Sequence, residues 1–179
     1  TNITQGAAYK GGCYFPDPSY RFGAKFDTYY KFCYGGIHRV NYVIENTLKM
    51  IPNAKTEESK KKLETVIGEA RLLRGMIYFR LISMWGDVPY IDHVVYNQTE
   101  MDKIVRTSIA KIKDYIIEDF NYAFEKLPVK SEQIGRASKP AALAFKGKLE
   151  LYWACWNHFG WPELDTFTPS EEEARKAYK

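Results

Sequence analysis

At 179 residues, with 45% hydrophobic and 27% charged side chains, the chain carries enough apolar material to bury one core of domain size, which excludes a disordered polymer. Its 26 Lys and Arg face 22 Asp and Glu, and a net charge of +4 spread over both signs gives no nucleic-acid signal. No stretch approaches the roughly 18 apolar residues that cross a bilayer, and the first residues lack the charged and apolar regions of an export signal.

Residues 1–25 mix Gly6, Gly11, Gly12, Pro16, Pro18 and Gly23 with Tyr9, Tyr14, Phe15, Tyr20 and Phe22 without a sustained period, so an irregular, aromatic-rich segment is expected there. Next, Cys33, Ile37, Val40, Ile44 and Leu48 recur in steps of three or four, one stripe of a helix that Pro52 ends. A second helix starts near Thr56, with Glu57 and Glu58 in its first turn. Its stripe is Leu63, Val66, Ala70, Leu73, Ile77, Leu81 and Met84, and Gly86 followed by Pro89 supplies the stop. After a loop from Asp87 to about Arg106, a third helix shows Ile109, Ile112, Ile116, Phe120, Ala123 and Leu127 before Pro128. Ser138 as N-cap and Pro140 in the first turn open a fourth, with the stripe Ala142, Phe145, Leu149, Trp153 and Trp156 running to Gly160 and Pro162. Ser170, followed by Glu171, Glu172 and Glu173, reads as the start of a fifth helix, inside which the chain stops.

Shifting the sequence against itself by 72 positions brings Ile37, Val40, Ile44 and Leu48 onto Ile109, Ile112, Ile116 and Phe120. The same shift places Ala70, Leu73, Gly75 and Ile77 on Ala142, Phe145, Gly147 and Leu149. Each mid-helix glycine costs about 1 kcal/mol of helix propensity and is expected where another helix must approach closely. The pattern predicts an all-α chain of stacked, tetratricopeptide-like helix hairpins with long irregular loops.

Cys13, Cys33 and Cys155 are widely spaced with no C-x-x-C, so neither a disulfide framework nor a zinc site is encoded locally. Nucleophile-elbow, phosphate-loop, H-E-x-x-H and dinucleotide-binding spacings do not occur. His38, His93 and His158 are scattered, and His38 beside core positions reads as a structural histidine. Asp87 and Asp92 flank a Pro-containing loop and have the residue types of a glycosidase pair; turn and capping duty is the preferred reading of Asp87. Lys60, Lys61 and Lys62 read as a solvated helix face, and Glu69, Arg71, Arg74 and Arg80 as ion-paired rather than anion-binding. The unusual quantity is aromatic content, 16% with fourteen Tyr and four Trp, which exceeds what a small helical core needs. Some of those rings are expected at the surface for binding.

The stretch 68–90, GEARLLRGMIYFRLISMWGDVPY, resembles the signature EARxLRAxxYFxLxxxxGDVP of SusD-like (RagB/SusD) proteins. Three further segments resemble family features in the family's order. They are IHRVNYVIEN at 37–46, its first helix; IIEDFNYAFEKLP at 116–128, its IxxDLxxAxxxLP; and GRASKPAALAFKGKLELY at 135–152, its GRAxxxAAxALxARxxLY. The family usually has Ala where Gly75 stands, and often a Trp near the opening of the first helix, where this chain has Tyr29 and Tyr30. The resemblance implies a tetratricopeptide-like scaffold forming the N-terminal portion of a longer, surface-exposed lipoprotein of the outer membrane in Bacteroidota-type bacteria. The lipidated cysteine is expected upstream of Thr1, as the only tie to the membrane. The family captures glycans and closes over a TonB-dependent, SusC-like transporter, so the implied role is non-catalytic, with no cofactor and no metal site among these residues.

Family glycan contacts come from aromatic platforms and flanking polar groups. The candidates are therefore rings outside any helical stripe, with their polar neighbours: Tyr14, Phe15, Asp17, Tyr20, Arg21, Asp27, Tyr29 and Tyr30. Trp161 is a further exposed-ring candidate, whereas Trp153 and Trp156 fall on the helix stripe as core. The alternative role is a helical-repeat scaffold that docks on the transporter without a ligand site of its own in this portion.

Overall fold

The computed structural model describes residues 22–178 apart from 132 and 163, with side chains from Thr28 onward. In chain order the elements are α1 (Phe22–Met50) with a 3₁₀ turn (Ile51–Asn53), α2 (Glu57–Trp85), β1 (Val88–Pro89), α3 (Gln98–Met101), β2 (Arg106–Thr107), α4 (Ile109–Lys126), α5 (Lys139–Phe159) and α6 (Glu171–Ala177). Residues 22–25, expected in the irregular segment, are helical, since α1 begins at Phe22; residues 1–21 lie outside the described chain. The polypeptide divides between Gly35 and Gly36, inside α1, into two compact units. In the first, Cys33 is buried, Phe32 is exposed, and the rings of Tyr30 and Tyr34 lie tilted at 4.7 Å.

Local chemistry sets the helix ends. Thr56 accepts the amide of Ser59 at 3.1 Å, and Glu57 and Glu58 sit where the helix dipole favours anions. Gly86 closes α2 with φ 66, a conformation that a side chain would strain. Ser170 caps α6 by accepting the amide of Glu173, as the sequence predicts. Asp87 performs the capping duty expected of it in a longer-range form: one carboxylate oxygen accepts the Ile109 amide at 2.8 Å and the other the Thr166 hydroxyl at 2.7 Å. Both oxygens are thereby committed to holding the start of α4 and the chain before α6. The long 86–108 connection is ordered by an antiparallel ladder, Val88 opposite Thr107 and Pro89 opposite Arg106. It also contains the short α3, capped by Asn97, whose side-chain oxygen accepts the Glu100 amide at 2.9 Å.

From Gly36 onward the helices stack in the order α1, α2, α4, α5. Val40 and Ile44 of α1 meet Ile67 and Ala70 of α2, and a Cβ added at Gly36 would lie 3.0 Å from Ile77. α2 and α4 run antiparallel in close contact: Gly75 faces Phe120, and Gly68 faces Leu127. Phe120 in turn meets Phe145 of α5, ring centroids 6.3 Å apart. The all-α, tetratricopeptide-like hairpin stack is thus present, with antiparallel pairs α1–α2 and α4–α5.

The predicted stripe of α4 is buried throughout: Ile109, Ile112, Ile116, Phe120, Ala123 and Leu127 are all at most 2% exposed. Each large side chain among them contributes about 1.5–3 kcal/mol of burial. The α2 stripe needs correction. Leu73 is 50% exposed and Met84 38%, while Ile67, Leu72, Tyr78 and Ile82 are buried. α2 is covered on two sides, by α1 and by α4, so its buried surface is far wider than a single stripe. Leu48 is half exposed, and His38 stands on the solvent side of α1 instead of serving the core.

Candidate functional site

α1, α2 and α4 each send one polar side chain into the core at the same level: Asn41, Arg74 and Asp119, respectively 0%, 5% and 2% exposed. Arg74 Nε and Nη2 donate to the two oxygens of Asp119, both at 2.7 Å, a bidentate fork. Its Nη1 donates to Asn41 Oδ1 at 3.0 Å and to the carbonyl of Asp92 at 3.1 Å. Asn41 Nδ2 donates to the carbonyls of Ile91 and His93 at 3.0 and 2.9 Å. Burial works against the guanidinium charge, but the Asp119 carboxylate outweighs it and holds the Arg74 pKa above its ordinary value. Three successive backbone carbonyls of the 91–93 loop are therefore tied to two side chains. The Tyr78 hydroxyl adds to this by accepting the Ile91 amide at 2.7 Å. The Tyr90 ring is held between Tyr78, at 4.8 Å, and Tyr115, stacked at 4.3 Å. The ion-pair reading of the second helix is also supported at its edge, where Arg136 pairs with Glu69.

The outer side of this anchored loop presents rings and polar groups. Glu45 accepts the Val94 amide at 2.7 Å and the Tyr96 hydroxyl at 3.2 Å, so Tyr96 is 69% exposed yet fixed. Tyr42, one turn before Glu45 on α1, is 55% exposed. His93 lies between two carboxylates, with Nδ1 2.9 Å from Asp92 Oδ1 and Nε2 2.7 Å from Glu100 Oε1. The bond to Asp92 raises the His93 pKa above 6.5 against partial burial, with Glu100 adding a smaller contribution. A raised folded value means that the pair stabilises the loop fully below pH 6.5 and loses that effect as pH rises through the folded value. The groups are about half exposed, which limits this to about 1 kcal/mol or less. A proton NMR titration is expected to place the His93 midpoint above 6.5, and Asp92→Asn to lower it more than Glu100→Gln. An unshifted wild-type midpoint would refute the clamp.

The predicted candidates fall in several places. Tyr14, Phe15, Asp17, Tyr20 and Arg21 lie outside the described residues, and Asp27 is in α1, its side chain outside the description. Tyr29 and Tyr30 are half-buried near the start of α1. Trp161 is half-buried and stacks on Trp156, ring centroids 3.7 Å apart, so the two indoles form one unit at the end of α5. Tyr42 and Tyr96 were not among the candidates; the sequence cue was Tyr96 directly before the cap Asn97, in a loop instead of a stripe. Among the described residues no group of three or more His, Cys, Asp or Glu side chains is placed to hold a metal ion, and no helix is long and apolar enough to cross a membrane.

Stacked antiparallel helix pairs that hold a loop and aromatic rings at their surface define the class: a tetratricopeptide-like scaffold. Over residues 17–151 the chain matches the SusD-like family described as starch-binding, associating with the outer membrane, and it belongs to that family. It is 33% identical over 129 residues to a SusD-like protein of Bacteroides ovatus, covering 71% of this chain and 22% of that one. A solved SusD homolog from Bacteroides thetaiotaomicron superposes with TM-score 0.67 at 29% identity, covering 86% of this chain and 28% of the other. Another protein, solved with xylogluco-oligosaccharide, gives TM-score 0.61 at 27% identity, covering 83% and 27%. The chain thus spans about a quarter of the length of these relatives.

Proposed function

We propose that this chain is part of a surface protein of the outer membrane that captures oligosaccharides without cleaving them and hands them to a TonB-dependent, SusC-like transporter. Membership of the starch-binding SusD-like family is the observation that carries it, and the similar protein solved with xylogluco-oligosaccharide supports a glycan as ligand. The side chains agree with binding instead of catalysis: Asp87, one half of the imagined carboxylate pair, spends both oxygens on structural hydrogen bonds. Sugar rings stack on aromatic faces while Asp, Asn and Arg bond their hydroxyls. The contacts are assigned to Tyr14, Phe15, Tyr20, Tyr29 and Tyr30 with Asp17, Arg21 and Asp27, with Trp161 as an outlying platform. The protein is held at the surface by a lipid on a cysteine upstream of Thr1.

Calorimetric titration of the full-length protein with xylogluco- and malto-oligosaccharides tests this. Replacing Tyr14, Tyr20 and Tyr29 together with Ala is expected to weaken binding about tenfold or more, roughly 1.4 kcal/mol, with the oligosaccharides recovered at unchanged length. Unchanged affinity would remove these rings from the site, and shortened products would overturn the non-catalytic role.

A further inference from the structure

One turn of α1 serves two tasks. Asn41 points inward and holds the carbonyls of Ile91 and His93, while its neighbour Tyr42 is 55% exposed. Glu45, three residues on and on the same side of the helix as Tyr42, accepts the Val94 amide and the Tyr96 hydroxyl. That amide, more than any other group, holds the Glu45 carboxyl below its ordinary pKa, so it is ionised at neutral pH. Desolvation first, then the Glu45 carboxylate and then the Tyr42 phenol raise the Tyr96 pKa, which places the two phenols within electrostatic reach of each other. The Tyr96 amide donates to Glu100 Oε2 at 3.4 Å, and Glu100 Oε1 is bonded to His93. Tyr96 is therefore 69% exposed with its orientation set at both ends, by its hydroxyl and by its backbone.

We propose that Tyr42 and Tyr96 form a further platform, for an uncharged sugar, with Glu45 as the residue that positions Tyr96. This rests on the reading of the protein as a glycan binder and adds to it a place and a ligand class. An exposed ring whose hydroxyl, amide and loop are already bonded loses little freedom when a pyranose stacks on its face. Acceptors for the sugar hydroxyls stand beside the rings. A carboxylate oxygen accepts more than one hydrogen bond, so Glu45 and Glu100 keep lone pairs for a ligand after their loop bonds are made. Charge selects the class of sugar. The carboxylates of Glu45, Asp92 and Glu100 outnumber the cations near them, Lys49 and protonated His93, so this surface repels uronic and sulfated chains and accepts uncharged ones.

Hydroxyl-radical footprinting of the unsubstituted full-length protein reads the platform directly. Tyr96 should be oxidised at an exposed rate without sugar and about threefold or more slowly with saturating xylogluco- or malto-oligosaccharide, whereas an oligogalacturonide should not slow it. Calorimetric titration with the same uncharged oligosaccharides gives a second reading. Tyr96→Ala should weaken binding about fivefold to tenfold, and Tyr96→Phe, which keeps the ring face and loses the bond to Glu45, only about twofold. Equal losses for Phe and Ala would assign the effect to the hydroxyl's structural bond and overturn the platform. So would a Tyr96 already shielded without sugar, shielding by the transporter in place of sugar, or equal slowing by the oligogalacturonide. If sugar protects Tyr14, Tyr20 and Tyr29 but not Tyr96, the platform falls and glycan capture stands. If it protects none of these rings and releases no heat on titration, both readings fall.

Discussion

Arg74→Ala is expected to destabilise the protein by about 3–5 kcal/mol, because it strands the Asp119 carboxylate in the core without its partner. The size of the effect follows from burial. Arg74 and Asp119 are 5% and 2% exposed, so water cannot take over the lost bonds. Arg71 does not substitute for the fork: its Nη1 stands 3.8 Å from Asp119 and its guanidinium lies over the Tyr122 ring at 4.3 Å. Arg74→Lys should recover only part of the loss, since an ammonium offers no planar fork. Replacing both partners, Arg74→Met with Asp119→Leu, should be milder than Arg74→Ala, because no charge is then left alone. Urea denaturation of the four proteins checks this series. A single-mutant loss below 1 kcal/mol would refute it.

The second large effect is at the contact between Gly75 and Phe120. Phe120→Ala is expected to cost about 3–5 kcal/mol, as for other fully buried rings. The informative experiment is subtler. The family pattern has Ala where this chain has Gly75 and Leu where it has Phe120, and the two departures meet at one point in space. With Phe120 present, a Cβ at position 75 would sit 2.6 Å from the ring, a separation that forces the ring to move. Gly75→Ala should therefore destabilise the native protein by about 1–2 kcal/mol despite the helix-propensity gain of about 1 kcal/mol. In the Phe120→Leu background the same change should become stabilising, because the methyl fills space that the ring has left. A thermodynamic double-mutant cycle reads this sign reversal directly as a coupling energy. Additive effects would mean that the close approach has no energetic weight.

The same pair shows how far the sequence could be read. Helix α4 was legible residue by residue, because its buried side forms one stripe and the six predicted positions line it. Helix α2 was legible in its ends and in its family signature, but not in its stripe. Enclosed on two sides, it buries Leu72, Tyr78 and Ile82 as well as Ala70 and Leu81, and a single path of three- and four-residue steps passes through the exposed Leu73. The glycines Gly75 and Gly147 matched in sequence but not in surroundings: one lies against a ring, the other in open space. Periodicity cannot show this, because it records a helix's own faces and not which neighbour is present. The buried Asn41, Arg74 and Asp119 each fall within a family-like segment, and the sequence pattern marks Arg74 as ion-paired. Their convergence depends on contacts across 33 and 45 residues, which local pattern does not encode. Most of the glycan candidates precede Phe22 and lie outside the described residues.

The bonds from Asn41 and Arg74 to the 91–93 carbonyls also set an order of events during synthesis. When the ribosome has released α1 and α2, the guanidinium has no carboxylate to receive it, because Asp119 is 45 residues downstream. The 91–93 loop therefore has its full network of partners behind it only once α4 has emerged. A nascent chain halted before Asp119 should leave it open to protease, and release of the next few turns should close it.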